Sequence, residues 1–569
     1  MEILRVDMSS LAIRREPVPA EWAAWGGRGL IGRIMAAEVP ATCEPLGESN
    51  KLIFATGLLS GRGVSAGDRL SIGSKSPLTG TIKEGNTGGQ AGGSLACLQI
   101  KAIILEGKAS PGNSYVLHLA RGRAELLPAD EYWGRNIFDA CASLRERFGT
   151  KTALLCIGTT GERLLSNSII AATDPDGYPA RSVSRGGLGA VMGSKGLKAV
   201  VVDDPGSRRS VEASDPGAFR QAVQSYHQAL GEDIFTTKVF TELGTPFVMA
   251  NANRHGAFPC RNYSCGTIPH IDKISGETLR DLIVSRGGEG RPTHVCMTGC
   301  TIRSSNVVPD AEGKRITSTL QYEAMAEFGA NLGIDDLDEI ARLNEMCNDI
   351  GLDTIETGAT LGLALEAGLL EYGDAAVVRR LVNEVNEGTV LGRLLASGAA
   401  TFGRVMGLQR VPVVKGMAMA AYDPRAYKGL GVTYATSTQG ADHTAGYPIY
   451  SPLDPHKPDG QVELSREVQV LRAANDSLGI CSFALAATGP QPELVNDMLQ
   501  AAHGQGVCLE FPEAMGREVL RTERAFNRGA GFTAADDRLP EFFRREKLPP
   551  FDLVFDVPQE EMERLFDFE

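Results

Sequence analysis

Short apolar runs separated by glycine-rich turns dominate the first 210 residues of the chain. The runs KLIFATG, AIILEG, YVLHL, ALLCIG and AVVVDD have the length and aliphatic content of buried β-strands. Their number and spacing predict a β-rich N-terminal domain over residues 1–210.

From about residue 211 the apolar positions follow the period of a helix. Apolar residues recur at helical spacing through LDEIARLNEMCNDIG, at Leu337, Ile340, Leu343 and Cys347. Gly351 predicts the end of this helix. The helical pattern continues in TGATLGLALEAGLL and AAVVRRLVNEVN. The pattern therefore predicts two mainly α-helical domains, residues 211–410 and 411–569, after the β-rich domain, and thus an α+β fold.

A weak internal repeat lies within the β-rich part. GGSLACLQIKAIIL (92–105) aligns without gaps on GAVMGSKGLKAVVV (189–202), and each copy follows a glycine-rich loop with an arginine nearby. Arg69 and NTGG precede the first copy, whereas Arg185 and GGLG precede the second. We interpret the repeat as a pseudo-two-fold duplication with two similar anion sites; chance similarity between two glycine-rich strand entries is the alternative.

Composition and charge narrow the function classes. The chain has 569 residues, and its 43% hydrophobic content argues against disorder. The net charge of −13 disfavours nucleic acid and an anionic membrane surface as partners. No signal-like N-terminus and no apolar run long enough to span a bilayer is visible, which predicts a soluble, cytoplasmic protein. The eleven scattered cysteines favour thiols or a metal site over a disulfide framework.

Three patterns carry candidate chemistry. The first is a pair of glycine-rich loops, GSKSPLTGTIKEGNTGGQAGG (73–93) and the loop at SRGGLG. Both offer free backbone N–H groups beside an arginine, which suits a bound phosphate. An ordinary turn is the alternative interpretation.

The second is a pair of similar helix ends, NDIGLD (348–353) and DSLGIC (476–481). Their carboxylates could accept hydrogen bonds from a flat N–H-rich ring such as a pterin or guanine. Simple helix capping is the alternative interpretation.

The third pattern is THVCMTGCTIRSS, in which Cys296 and Cys300 are followed at the same step by Ser304. Thiolates bind iron–sulfur clusters or zinc, and the distant Cys481 would make a plausible but incomplete ligand set.

Together these motifs resemble the aldehyde:ferredoxin oxidoreductase family of tungsten or molybdenum enzymes. The similarity includes WGGRGLIGRIM, SPLTGTIKEGNTGGQAGGSL, SRGGLGAVMGSKGLKAVVV, NDIGLDTIETG, YDPRAYKGLGVTYATS, ADHTAGY, NDSLGIC and FNRGAGFTAADDRLPEFF, in the family's order. The resemblance implies a W or Mo atom held by two pyranopterin dithiolenes, with Mg²⁺ joining their phosphates.

The resemblance also implies roles for particular residues. Gly186 is expected to offer a backbone carbonyl to Mg²⁺-bound water. The positions that match cofactor and Mg²⁺ contacts are Arg69, Asn86, Gly88, Arg185 and Gly186, and those that match pterin-ring contacts are Asn348, Asp353, Asp476 and the adjoining Ile480.

The resemblance assigns Cys296, Cys300 and Cys481 as ligands of a 4Fe–4S cluster. The chain departs from the family at Ser304, where a further cysteine is expected, so a three-iron, altered or absent cluster is an alternative. Cys260 or Cys265 is a further substitute ligand if the fold brings one of them close.

For proton chemistry the family pattern implies Glu323 in QYEAMAEFG and His443 in GADHTAGY. The implied reaction oxidises an aldehyde to a carboxylic acid, and the electrons leave through the cluster to ferredoxin or a ferredoxin-like subunit. A homodimer is left open.

Three other interpretations compete with this one. The first is a catalytic subunit of the same family that acts on another substrate, as in a benzoyl-CoA-type reductase. The second is a degenerate member that binds cofactor without turnover, and the third is a zinc-binding structural protein, for which the four-ligand spacing is absent.

Overall fold

The computed structural model describes residues 1–204 and 211–568, so the predicted domain boundary at residue 210 lies outside the described residues. Two six-stranded sheets form the N-terminal part. The strands of the first sheet are β1 (Glu2–Asp7), β2 (Ala12–Pro17), β3 (Leu52–Thr56), β4 (Leu70–Lys75), β5 (Ile82–Thr87) and β6 (Ile100–Glu106). Those of the second are β7 (Tyr115–Ala120), β8 (Arg123–Pro128), β9 (Ala153–Cys156), β10 (Ile170–Ala172), β11 (Arg181–Val183) and β12 (Leu197–Asp203).

The two sheets have the same topology. The first runs in the order β2-β1-β6-β3-β4-β5, and the second, read from its other edge, runs β8-β7-β12-β9-β10-β11. In each sheet one pair is parallel, β1 with β6 and β7 with β12, whereas the other neighbours are antiparallel. A short helix, Ala91–Cys97 or Leu188–Ser194, precedes the strand that enters the centre of each sheet. The predicted pseudo-two-fold duplication is therefore confirmed.

The two sheets share one buried core. Leu4, Phe54 and Ile103 of the first sheet pack with Leu117 and Val200 of the second. The strands are buried on both faces at their centres, which explains why their sequences read as continuous apolar runs rather than as alternating patterns.

The remainder of the described chain is mainly helical. Its longer helices are Pro216–Glu232, Val248–His255, Gly276–Arg286, Leu337–Ile350, Thr354–Glu366, Ala375–Glu387, Lys428–Thr436, Gln461–Leu478, Pro492–His503 and Glu513–Gly529, and Ala399–Val405 is a shorter one. The earlier part contributes two further helices of this kind, Gly27–Glu38 and Ile137–Phe148. Two π-helical segments, Phe235–Val239 and Met325–Asn331, interrupt the regular pattern.

The helix predicted from LDEIARLNEMCNDIG is present as Leu337–Ile350. The Asp336 side chain caps its first turn by accepting from the Asp338 N–H, and Gly351 ends it with φ = 92°. A three-stranded sheet, β13 (Arg291–His294), β14 (Ser305–Pro309) and β15 (Arg315–Thr317), lies among these helices, and the THVCMTGC motif forms the loop between β13 and β14.

The predicted domains 1–210, 211–410 and 411–569 stay a prediction. One hydrophobic core cluster includes residues from Ile3 to Phe566. A small hairpin, β16 (Val413–Val414) with β17 (Met417–Ala418), lies at the later predicted boundary. None of the described helices is both long enough and apolar enough to cross a membrane.

Candidate functional site

A buried carboxylate on a helical segment faces each glycine-rich loop of the β-rich part. Asp476 accepts hydrogen bonds from Asn86 Nδ2 at 3.2 Å and from Arg28 Nη1 at 3.4 Å. Asp353 accepts from Arg185 Nε at 3.3 Å. Both carboxylates are almost fully buried, and such buried polar groups need hydrogen-bond partners of the kind that each of them has here.

The first set of contacts is built on Arg28 and Arg69. Arg28 binds the Glu523 carboxylate through both Nε and Nη2, each at 2.8 Å, and its third nitrogen reaches Asp476. Arg69 binds Asn86 twice, through Nε to the side-chain oxygen and through Nη2 to the carbonyl at 2.8 Å. The predicted residues Arg69, Asn86 and Asp476 therefore lie together in one network.

The second set repeats this plan around Arg185. Besides Asp353, the Arg185 guanidinium reaches Glu356 at 3.4 Å and donates to the carbonyls of Ala441 at 2.9 Å and Ala418 at 2.5 Å. Burial raises the pKa of the Glu356 carboxyl, while the charge of Arg185 opposes that rise. One arginine between two buried carboxylates thus occurs in both halves, as Arg28 with Asp476 and Glu523, and as Arg185 with Asp353 and Glu356.

Glycines bring the two similar helix ends against the two sheets. A Cβ atom on Gly57, which follows β3, would lie 2.2 Å from the Leu478 carbonyl oxygen. A Cβ atom on Gly158, close after β9, would lie 2.0 Å from the Ile350 carbonyl oxygen. No side chain fits at either point, so NDIGLD and DSLGIC are held at equivalent places by main-chain contact.

The remaining predicted cofactor residues lie around these networks with different contacts. The Gly186 carbonyl accepts from Ser76 Oγ at 2.7 Å, and Gly186 has φ = 90°. Ile480 is buried, and its carbonyl accepts from Asn475 Nδ2 at 2.8 Å. Asn348 is half-buried near the end of helix Leu337–Ile350.

The predicted cluster ligands converge beside the first loop. Gly88 lies directly over Cys296, since a Cβ atom there would be 3.1 Å from the Cys296 carbonyl oxygen and 3.2 Å from its Sγ. A hydrogen bond from Cys300 lowers the pKa of Cys296 to about 6, although burial acts in the opposite direction. Burial raises the pKa of the Cys481 thiol, and Arg69 opposes that rise.

Ser304 directly precedes β14, its backbone forms an isolated β-bridge with His294, and the residue is 9% exposed. Among the described residues no three His, Cys, Asp or Glu side chains stand close enough together to hold a single metal ion. The backbones of Cys260 and Cys265 form an isolated antiparallel β-bridge with each other, and Cys260 is fully buried.

The predicted catalytic residues Glu323 and His443 are in direct contact. Glu323 Oε1 lies 2.9 Å from His443 Nε2, and both side chains are about one-sixth exposed, at 16% and 17%. The other polar atoms of the pair, Glu323 Oε2 and His443 Nδ1, are buried and have no hydrogen-bond partner. Two unsatisfied atoms on one pair indicate a place for a further polar ligand.

Asp442 connects this pair to the second loop set. Its carboxylate lies 3.0 Å from Lys83 Nζ and 3.6 Å from His443 Nδ1. Burial alone would raise the pKa of Asp442, but Lys83 and Arg185 hold it well below its ordinary value. A permanent negative charge therefore sits behind the histidine.

Sequence reasoning missed several residues of the site. Arg28 and Lys83 lie within the quoted motifs WGGRGLIGRIM and TIKEGN, so position in a motif was the available signal. Glu84 is buried beside Asp476, and burial with that neighbouring charge raises its pKa to about 7. Glu523 had no local signal, because its partners are remote in sequence.

Comparison with known proteins identifies the family of this chain. Residues 3–204 match the N-terminal domain described for aldehyde ferredoxin oxidoreductase, and residues 221–566 match its domains 2 and 3.

The chain belongs to the aldehyde ferredoxin oxidoreductase family.

The names of similar proteins support this family membership. A tungsten-containing aldehyde ferredoxin oxidoreductase of Pyrococcus furiosus is 33% identical, over 96% of this chain and 91% of that protein. The protein of the same name from Thermococcus kodakarensis is 32% identical over the same shares of the two chains. The WOR-like subunit of an aliphatic sulfonate oxidoreductase of Pyrococcus furiosus is 28% identical over 88% of this chain and 81% of its own length.

A solved structure shows the same fold. It is the active-site complex BamBC of benzoyl coenzyme A reductase with 1,5-dienoyl-CoA, with a TM-score of 0.78 and 19% identity, over 100% of this chain and 93% of that one. The predicted α+β fold and the predicted oxidoreductase class are therefore confirmed for this member of the aldehyde ferredoxin oxidoreductase family.

The site of this family member fits a large polar cofactor. Buried polar atoms without a hydrogen-bond partner stand in both halves: Thr87 Oγ1 and Asn475 Oδ1 in the first, and Asn167 Oδ1 and Ser168 Oγ in the second. Thr87 adjoins Asn86, and Asn475 adjoins Asp476, so these free atoms flank the paired networks. Unsatisfied buried groups of this kind need a ligand or water, and their duplication suits two equivalent ligand halves.

Proposed function

We propose that the chain oxidises an aldehyde to a carboxylic acid at a tungsten centre held by two pyranopterin dithiolenes. The observation that carries this proposal is the Glu323–His443 pair, whose two free buried atoms stand beside the second arginine–carboxylate set. The names of the relatives that are 33% and 32% identical over 96% of the chain support tungsten and the aldehyde. Molybdenum is the alternative metal for the same ligands.

The two networks would hold the two halves of the cofactor. Asp476 and Asp353 would accept hydrogen bonds from the ring N–H groups, while Asn348 and Ile480 would flank those rings. The loop arginines Arg69 and Arg185 would pair with the phosphates. Mg²⁺ would lie between the phosphates, close to Asn86, Gly88 and the Gly186 carbonyl. When bound, the tungsten centre supplies Lewis acidity and accepts the two electrons of the oxidation.

Glu323 and His443 would manage the protons of the reaction. An aldehyde and a water molecule give a carboxylic acid, two protons and two electrons, so a base must stand near the carbonyl carbon. The 2.9 Å contact between Glu323 Oε1 and His443 Nε2 allows one of them to take a proton and the other to pass it on. Asp442 Oδ1 lies 3.6 Å from His443 Nδ1, on the side of the ring away from Glu323.

Electrons would leave through an iron–sulfur cluster on Cys296, Cys300 and Cys481, with Ser304 as a fourth ligand. The contact of Gly88 with Cys296 supports a cluster next to the first cofactor half and hence a short electron path. Ferredoxin or a ferredoxin-like subunit would accept the electrons. A cytoplasmic location and a homodimer stay predictions.

The test is to purify the chain without oxygen, count W, Mo and Fe per chain by elemental mass spectrometry, and assay aldehyde oxidation with a viologen dye. We expect one W or Mo per chain, iron, and turnover in the wild type. Glu323→Gln should keep the metal and lose at least about a hundredfold in kcat, the usual size of a general-base contribution. A properly loaded protein that holds metal but oxidises no aldehyde would support the alternatives, a member acting on another substrate or one without turnover.

A further inference from the structure

Two cysteines outside the proposed cofactor and cluster sites face each other across a tight loop. The backbones of Cys260 and Cys265 form an isolated antiparallel β-bridge, in which the Cys265 N–H donates to the Cys260 carbonyl at 3.3 Å. Residues opposed in this way have Cα atoms about 4.5–5.5 Å apart, within the roughly 4.4–6.8 Å that a disulfide spans. The backbone therefore places both cysteines where a disulfide can form without a large movement.

The loop between the two cysteines has an unusual backbone. Arg261, Asn262 and Tyr263 are all left-handed, with φ of 49°, 51° and 62°. Non-glycine residues rarely adopt this conformation, and three in succession persist only where the surroundings fix them. The Asn262 N–H donates to Asn331 Oδ1 at 2.9 Å, and the Tyr263 hydroxyl donates to the Ala420 carbonyl at 3.1 Å. These contacts hold the loop, and with it the two sulfur atoms at its ends, in place.

The two thiols differ in exposure and in acidity. Cys260 is fully buried, and burial together with its hydrogen bond to Cys265 raises its pKa well above the ordinary value. Cys265 is half-buried, and the same hydrogen bond lowers its pKa to about 7, with help from the charge of Arg261 and against its burial. The thiolate is the nucleophile in disulfide exchange, and a thiol whose pKa is near the ambient pH attacks most readily. Cys265 therefore suits the attacking role, and Cys260 suits the role of the thiol that attacks second.

Other cysteines share only part of this arrangement. Cys43, Cys97 and Cys508 are half-buried, but burial raises the pKa of each of these thiols. Cys141 and Cys156 hydrogen-bond to each other, yet both are buried away from solvent. The first three cysteines serve as controls for exposure, and the buried pair serves as a control for pairing.

We propose that Cys260 and Cys265 are a reversible modification site, at which a small disulfide such as oxidised glutathione converts the two thiols into an intramolecular disulfide. The Cys265 thiolate attacks one sulfur of the small disulfide, whose S–S bond breaks, and the first small thiol leaves with the proton that Cys265 has lost. The Cys260 thiol then gives up its proton and attacks the Cys265 sulfur, and the second small thiol leaves with that proton. Two electrons pass from the cysteines to the small disulfide, and an excess of small thiol reverses both steps.

Trypsin provides a direct readout of this bond. It cuts after Arg254, Arg261 and Lys273, so HGAFPCR (255–261) and NYSCGTIPHIDK (262–273) stay joined only through a Cys260–Cys265 disulfide. The holoenzyme is incubated without oxygen at pH 7 with oxidised glutathione, its remaining thiols are blocked with N-ethylmaleimide, and the digest is analysed by mass spectrometry without reductant. We expect the joined peptides after this treatment and their loss after an excess of reduced glutathione.

The buried pair tests whether exposure matters. A Cys141–Cys156 disulfide would join NIFDACASLR (136–145) to TALLCIGTTGER (152–163) in the same digest. We expect at least about tenfold less of this product than of the Cys260–Cys265 product, because glutathione cannot reach either buried thiol. Equal amounts of the two products would show general oxidation of an opened chain and would overturn the proposal.

Variants separate the two roles. Cys260→Ala removes the hydrogen-bond donor, so Cys265 should react with oxidised glutathione roughly threefold to tenfold more slowly at pH 7. Cys260→Ser keeps a donor and should react at close to the wild-type rate, but it should stop at the mixed disulfide on Cys265. Cys508→Ser is the matched control, since it removes a half-buried thiol elsewhere, and it should form the Cys260–Cys265 disulfide as the wild type does.

Two further results would overturn the proposal. One is a wild-type protein that holds glutathione on Cys265 without forming the joined peptides, because Cys260 would then not complete the exchange. The other is equal reactivity of Cys265 and the lone thiols Cys43, Cys97 and Cys508 at pH 7. Neither result depends on aldehyde oxidation, so the proposed function is tested separately.

Discussion

Asn86 Nδ2 donates a hydrogen bond to Asp476 Oδ1 at 3.2 Å, although 390 residues separate them in the chain. The amide stands at the end of a strand of the first sheet, and the carboxylate stands in the last turns of helix Gln461–Leu478. This contact closes a late helix onto the first glycine-rich loop. The contact of Arg185 with Asp353 at 3.3 Å does the same for the second loop.

Removing either site carboxylate should impair cofactor retention. Asp476→Asn and Asp353→Asn replace an acceptor with a group that cannot carry the charge, and a hydrogen bond to a charged group is worth about 1.5–3 kcal/mol. We expect tungsten retained after extensive dialysis to fall by roughly tenfold or more, measured by elemental mass spectrometry. Asp497→Asn changes an exposed carboxylate on another helix and should retain full metal. Full tungsten in both site variants would show that these residues do not hold the cofactor.

Adding one methyl group where backbone meets backbone should destabilise the protein. A Cβ atom on Gly57 would lie 2.2 Å from the Leu478 carbonyl oxygen, so Gly57→Ala must push the DSLGIC segment away from the first sheet. We expect a cost of at least about 2 kcal/mol, seen as a lower denaturation midpoint. Gly231→Ala is the control, because nothing lies within 4 Å of that site in helix Pro216–Glu232. It should be neutral or stabilising by about 0.5 kcal/mol.

His503 should make the protein less stable in mild acid. Burial lowers its pKa from 6.5 to about 4, and the ring hydrogen-bonds through Nε2 to the Leu58 carbonyl at 2.9 Å. Because the folded pKa lies below the unfolded one, the unfolded state binds more protons between these values. Stability present above pH 6.5 is therefore lost as the pH falls toward 4, by at most about 3 kcal/mol.

The measurement for His503 compares melting temperatures at pH 7.5 and pH 5. His503→Gln keeps a donor for the Leu58 carbonyl but cannot be protonated, so its loss of Tm on acidification should be smaller than that of the wild type by about 2 °C. Equal losses in the two proteins would exclude His503 as a source of the acid sensitivity.

A thiol at residue 304 should complete the cluster. A serine oxygen is a poorer ligand for iron than a thiolate, so we expect the wild type to hold fewer than four irons or to lose one readily. Ser304→Cys should raise iron to about four per chain and give the electron paramagnetic resonance signal of a reduced four-iron cluster. Ser285→Cys adds an exposed thiol elsewhere and should change neither value. Identical iron contents in the wild type and in Ser304→Cys would mean that Ser304 already binds iron as the fourth ligand or that the cluster lies elsewhere.

Local sequence patterns predicted much of the secondary structure, because interactions between residues close in the chain largely determine it. The helix Leu337–Ile350 could be read from its apolar period and from Gly351, which adopts the left-handed conformation that few other residues tolerate. The duplication could be read because each copy needs the same glycine-rich loop, short helix and buried strand. The loop position of Cys296 and Cys300, between two strands, had no such periodic signal.

The sequence by itself determined the β-rich and helical segments, the duplication, and the family motifs that single out Glu323, His443, Asp353 and Asp476. Only the tertiary structure decided what those residues contact. Arg28 and Glu523 are 495 residues apart, yet Arg28 Nε and Nη2 each donate a 2.8 Å hydrogen bond to the Glu523 carboxylate. No local sequence pattern predicts this pair. The physical reason is that strands and helices follow from neighbours along the chain, whereas a buried charge or an exposed ring acquires its partner only when distant segments pack together.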